Sequence, residues 1–203
     1  MFYQAPYNHA MNGKLSNDAK SEVDIGFIAH LHLSEEEAIA ASNTAVHAAV
    51  DCSEDETIVT SGFIAPPSPR NISVTASATT AADILAVVVK VTGKNAAGEI
   101  ITETLPAFTA ATAATKEGAK AFASVDKVEI PAMGGDSAKI SVGFGDICGL
   151  GYVLAHNTVL MAHKDNTKES TAPTVVCSES LENNTFDLNS ALNGKVVDVY
   201  LIV

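Results

Sequence analysis

The chain has 203 residues, a net charge of −12, 5% aromatic residues and no Trp. That balance speaks against a general nucleic-acid binder, which needs a basic surface to displace counterions, and against docking on anionic membranes. It also excludes carbohydrate sites that stack sugars on Trp, and no apolar run approaches the roughly 20 residues of a membrane-spanning helix.

The opening M-F-Y-Q-A-P-Y lacks the basic and apolar blocks of a secretory signal. Residues 1–24 are polar and read as an extended arm, with Phe2, Tyr3 and Tyr7 as aromatic anchors for a neighbouring subunit, a frayed terminus being the equal alternative. Residues 24–33, D-I-G-F-I-A-H-L-H-L, alternate with the period of a strand. That period puts His30 and His32 on one face. Ser34 and Glu37 then have the spacing of a capping box, and three consecutive glutamates complement a helix dipole. A short helix over 34–50 is predicted, with an extended 45–50 as the competing reading of its second half.

A short strand is expected at 57–60. Pro66, Pro67 and Pro69 then stiffen the chain into a connector that ends at Arg70. The boundary of the N-terminal region falls here, giving an arm, strand and helix over 1–65 and a β-sandwich domain over 66–203. Residues 71–77 alternate and open that domain. The central feature is a hairpin over 85–105, turning through G-K-N-A-A-G at 93–98. Its second strand sets Ile101, Glu103 and Leu105 on one side and Ile100, Thr102 and Thr104 on the other.

Residues 108–120 read as a loop or edge strand and 121–131 as a strand. Gly134 and Gly135 form a turn, and 139–144 is expected to pair back on 121–131 as a second hairpin. The glycine-punctuated 145–152 reads as a loop. Strands follow at 153–161, 174–178 and 186–188, and 195–203, K-V-V-D-V-Y-L-I-V, is the most strand-like stretch of all. The fold class is therefore mainly all-β: an antiparallel β-sandwich or barrel with an N-terminal arm and one short helix.

No constellation carries a strong chemical signal. Cys52, Cys148 and Cys177 are far apart and odd in number, which fits reduced, mostly buried thiols in a reducing cytoplasm. Cys148 or Cys177 with His156 or His163 lacks any nucleophile signature. His30 and His32 could ligate a metal only with a third group, His156, His163 or a carboxylate; surface or interface histidines are the preferred reading. Asp146 has no EF-hand spacing around it. Glu99, Glu103, Glu117 and Glu129 read as solvated acids rather than a glycosidase pair. No catalytic residue, metal or cofactor is expected.

The runs P-R-N-I-S-V-T (69–75), V-K-V-T-G-K-N-A-A-G-E-I-I-T-E-T-L-P (89–106), K-V-E-I-P (127–131), S-V-G-F-G-D (141–146), L-A-H-N-T-V-L (154–160) and D-L-N-S-A-L-N-G-K-V-V-D-V-Y (187–200) resemble virion structural proteins of tailed bacteriophages and prophages. The resemblance covers about 66–203 and rests on turn and strand signatures. It implies a non-enzymatic particle component, made in the host cytoplasm and carried on the capsid exterior as a decoration (cement) protein between capsomers. The implied partners are the major capsid protein or other virion subunits and further copies of the chain, a trimer being the expected state. A head–tail connector, neck, tail or baseplate component is the alternative, and a surface-binding β-sandwich using Tyr152 or Tyr200 a further one. The expected contacts are Phe2, Tyr3, Tyr7, Pro66, Pro67 and Arg70.

Overall fold

The computed structural model describes residues 26–203 and the backbone of β1 (Leu15–Ser16) and β2 (Glu22–Val23), which pair with each other. The arm's expected aromatic anchors, Phe2, Tyr3 and Tyr7, lie outside the described residues. The remaining strands are β3 (Ile28–Leu33), β4 (Ser42–Asp51), β5 (Thr57–Val59), β6 (Arg70–Ala78), β7 (Lys90–Lys94), β8 (Ile100–Thr104), β9 (Ala114–Phe122) and β10 (Ser124–Ile130). They continue as β11 (Ala138–Gly149), β12 (Val159–Lys164), β13 (Thr167–Lys168), β14 (Thr174–Val176), β15 (Thr185–Asp187) and β16 (Val197–Ile202). The protein is mainly β, built of antiparallel sheets.

The twelve-residue β11 is the spine. β6 runs along one side of it; on the other side β4 pairs with 139–144, and β15 takes Cys148 and Gly149. A register shift between Phe144 and Cys148 bends the strand there. The two halves of β11 thereby serve two cores. Ile140, Val142 and Phe144 join Val46, Ile72, Val74, Val91, Val128 and Ile130 in the first, between the β4–β11–β6–β9 sheet and the β5–β10–β7–β8 sheet. Cys148 and Leu150 join Leu33, Ala162, Phe186, Val197, Val199 and Leu201 in the second, against the sheet ordered β13–β12–β16–β3.

The central hairpin forms as its turn chemistry dictates. The Asn95 side-chain oxygen accepts the N–H groups of Ala97 and Glu99, both at 3.0 Å, and Gly98 takes φ +80°. Lys94 pairs with Ile100, and Ile101 and Leu105 are buried while Ile100, Thr102 and Thr104 are exposed. The regular ladder begins at Lys90, and before it the Val89 and Val87 carbonyls accept the Leu105 and Phe108 N–H groups at 2.9 Å.

Four expectations are corrected. The helix over 34–50 is absent: the described residues contain two 3-10 turns (Ala81–Asp83, Leu181–Asn183) and no α-helix. The capping box does close, since Ser34 Oγ donates to Glu37 Oε2 at 2.9 Å and Glu37 N–H donates to Ser34 Oγ at 3.3 Å. It closes one turn only, because β4 gains a full ladder on β11 and buries Val46. The extended alternative for 45–50 is the one realised. Second, 121–131 is not one strand: the chain changes sheets at Ala123, whose N–H donates to Lys94 O at 2.7 Å. Third, 139–144 pairs with β6 and β4, not with β10.

Fourth, 145–149 continues β11 rather than looping out. Its glycines reflect close approach. A Cβ at Gly143 would overlap the Ser42 carbonyl oxygen, and one at Gly145 would lie 2.6 Å from the Asn71 amide. The boundary at Pro66 also divides the sequence rather than the packing, because β3, β4 and β5 pair with β16, β11 and β10 from beyond it.

Candidate functional site

The outward face of the β12–β16–β3 sheet gathers the most unusual chemistry on the described surface. β16 is central there, and alternation sends Val197, Val199 and Leu201 into the second core and Asp198, Tyr200 and Ile202 outward. On one side β3 sets His32 opposite Asp198, His30 opposite Tyr200 and Ile28 opposite Ile202. On the other, β12 sets His163 opposite Asp198 and Met161 opposite Tyr200. One end of the face is polar and the other apolar.

His30 Nε2 and His32 Nδ1 lie 2.7 and 2.8 Å from the same oxygen, Asp198 Oδ1. The histidines are half exposed and the carboxylate is largely covered, at 45%, 53% and 16% side-chain exposure. Burial works to raise the Asp198 carboxyl, but the hydrogen bonds from His32 and His30 outweigh it and hold the group below the usual carboxylate range. The Tyr200 ring stacks on His30 at 4.6 Å and 5° and meets the edge of His163 at 6.0 Å. His163 Nδ1 is buried without a hydrogen-bond partner. Among the described residues, His30, His32 and Asp198 form the group whose donor atoms could share an ion, all lying within 4.8 Å of one another.

The apolar end continues to the sheet corner. Phe27 and Val203 exchange two backbone hydrogen bonds of 2.9 Å, which fixes the corner. Phe27 and Ile28 are 71% and 68% exposed, beside the partly exposed Ile202, Val203 and Met161. Large apolar side chains held outward on ordered backbone are a contact surface more often than an accident.

The other expected groups are not assembled into a site. His156 is exposed in the loop before β12. Burial pushes the Cys148 thiol up to about 11, which keeps it protonated and removes it as a nucleophile. Asp146 belongs to β11, and its Oδ1 accepts the Ala41 N–H at 3.1 Å. Glu103 accepts the Ala119 N–H at 2.7 Å, and Glu129 sits between Lys127 and Lys90 at 3.1 and 3.2 Å.

The contact assignments of Arg70 and Pro66 are corrected as well. Arg70 is fully buried: Nη2 donates to Ile39 O at 2.8 Å and the guanidinium lies 5.0 Å from the Phe144 ring centre. It braces the spine strand and cannot reach a neighbour. Pro66 is buried and Pro67 half-buried. Asp198 was not singled out by sequence. Its signal was the alternation of V-D-V-Y at 197–200, which turns Asp198 and Tyr200 away from Val197 and Val199.

Compared with models of protein families, with curated proteins and with solved structures, the chain has no significant match.

Proposed function

We propose that the chain is a non-enzymatic structural protein of a tailed phage particle, a capsid decoration subunit that binds between capsomers on the outside of the head. One observation carries the reading beyond the sequence resemblance. The strand-built body holds an apolar corner, Phe27, Ile28, Ile202 and Val203, outward on paired backbone. Among the described residues β3 also ends its sheet there. An edge of this kind offers backbone groups and apolar side chains together, which suits a lasting contact with a neighbouring subunit. The charge of −12 suits a surface facing solvent rather than packaged genome.

The test is rebinding to particles stripped of the chain. The full chain is expected to rebind, with a copy number approaching that of the capsid subunit. Phe27→Asp with Ile28→Asp should lose rebinding while keeping the far-UV circular dichroism of the parent. Recovery on the tail, recovery in only tens of copies, or absence from purified particles would overturn the decoration role.

A further inference from the structure

We infer that His30, His32 and Asp198 form a binding site for a single divalent transition-metal ion, with zinc the best match to the donors. The inference is independent of the role proposed for the particle surface.

Two histidines at positions i and i+2 of a strand share a face, and β16 brings Asp198 directly opposite His32 in the antiparallel register. Three donors from two adjacent strands are thereby placed by the sheet itself. His30 presents Nε2 and His32 presents Nδ1, and both meet Asp198 Oδ1 at hydrogen-bond distance. Zinc bonds of about 2.0–2.1 Å in tetrahedral geometry set donor atoms roughly 3.3 Å apart. The contacts of 2.7 and 2.8 Å must therefore open by about half an ångström. Half-exposed imidazoles do this by small torsions without moving either strand.

Donor chemistry narrows the ion. Two imidazole nitrogens and one carboxylate oxygen suit zinc and its neighbours; calcium and magnesium prefer all-oxygen sets. The Tyr200 ring stacked on His30 at 4.6 Å limits the rotation of that imidazole. Three protein donors leave a fourth position, and on an outward sheet face that position opens to solvent. His163 flanks Asp198 on the far side but stands outside the set of mutually close donors.

The experiment is calorimetric titration of the full chain with zinc alone, followed by cobalt substitution read in the visible spectrum. One ion per chain and the intense absorption of tetrahedral cobalt are expected. His30→Gln, His32→Gln and Asp198→Asn should each weaken zinc binding by at least about 10-fold. His163→Gln should leave the affinity unchanged, and far-UV circular dichroism should show every variant folded. Absence of saturable uptake would overturn the assignment. So would uptake that survives His30→Gln with His32→Gln, or a loss in His163→Gln as large as that in His32→Gln.

Discussion

Asn184 offers a sharp test of how the second core is held. It is fully buried between the 3-10 turn Leu181–Asn183 and β15. Its side-chain oxygen accepts the N–H groups of Leu154 and Ser178 at 2.9 and 3.1 Å, and its amide nitrogen donates to the carbonyls of Ser178 and Ser180 at 2.9 and 2.7 Å. One side chain thus ties the loop before β12 to the segment between β14 and β15. Asn184→Ala removes all four bonds. The Leu154 N–H is left buried and unpaired at a cost of about 1–3 kcal/mol, and the three more accessible bonds lose about 0.5–1.5 kcal/mol each. Because bonds of one residue are not additive, a loss of about 3–5 kcal/mol is expected.

Asn184→Asp keeps the shape and separates donors from acceptors. The carboxylate still accepts from Leu154 and Ser178 but now faces two carbonyl oxygens. Burial and those oxygens favour the protonated acid, so the folded-state pKa lies above the ordinary value of about 3.9. The native state then binds the extra proton. Stability relative to the parent falls as pH rises from the ordinary value through the raised one, and the deficit shrinks in acid. Urea unfolding followed by far-UV circular dichroism measures both effects, since the chain has no Trp. An aspartate variant as stable as the parent at neutral pH, or an alanine variant losing less than about 1 kcal/mol, would refute the reasoning.

Two further predictions rest on burial. The Cys52 thiol is raised, chiefly by burial, and Cys148 is pushed up to about 11, whereas Cys177 is only half-buried. A disulfide reagent should modify Cys177 first and reach the other two only on unfolding; equal rates for all three in the native protein would contradict the packing. Glu103 is raised mainly by burial, with the Ala119 and Lys120 N–H groups pulling the other way. Folding therefore favours its protonated form, and its contribution to stability falls as pH rises from the ordinary Glu value through the raised one. Glu103→Gln keeps an acceptor for the Ala119 N–H and should flatten that slope in thermal unfolding scans; parallel curves for parent and variant would count against it.

Strand periodicity carried most of the fold. The alternation of β8 and β16 was readable because each buries one face, and a period of two leaves a mark in the sequence. The failures have a common cause in partner choice. Nothing local in 42–51 distinguishes an Ala-rich helix from a strand, since the capping box before it is satisfied either way. Pairing with β11 decides the matter, and that pairing joins Asp51 to Lys139 across the sequence. The glycines of β11 misled for the same reason. They weaken a strand considered alone, but here they admit the backbone at 42–43 and the Asn71 side chain, neighbours that sequence does not announce. Arg70 looked like a surface cation at the end of a proline connector; its place beneath the fold follows from the Ile39 carbonyl and the Phe144 ring.

The histidine site shows how far such reading can go. That His30 and His32 share a face follows from the strand period alone, and so does the pairing of Asp198 with Tyr200 on one face. Their meeting depends on β3 lying beside β16, a contact spanning 166 positions between His32 and Asp198. Its register is set from the opposite side of the sheet. A slip of one residue would turn Val197, Val199 and Leu201 to solvent and drive Asp198 and Tyr200 into the core. Each apolar side chain so exposed forfeits about 1.5–3 kcal/mol, so the native register is favoured by well over about 4 kcal/mol before the buried carboxylate is considered. The core thus fixes the position of Asp198 between the histidines whatever the histidines themselves contribute. Substituting them should therefore change what the face binds without changing where the strands lie.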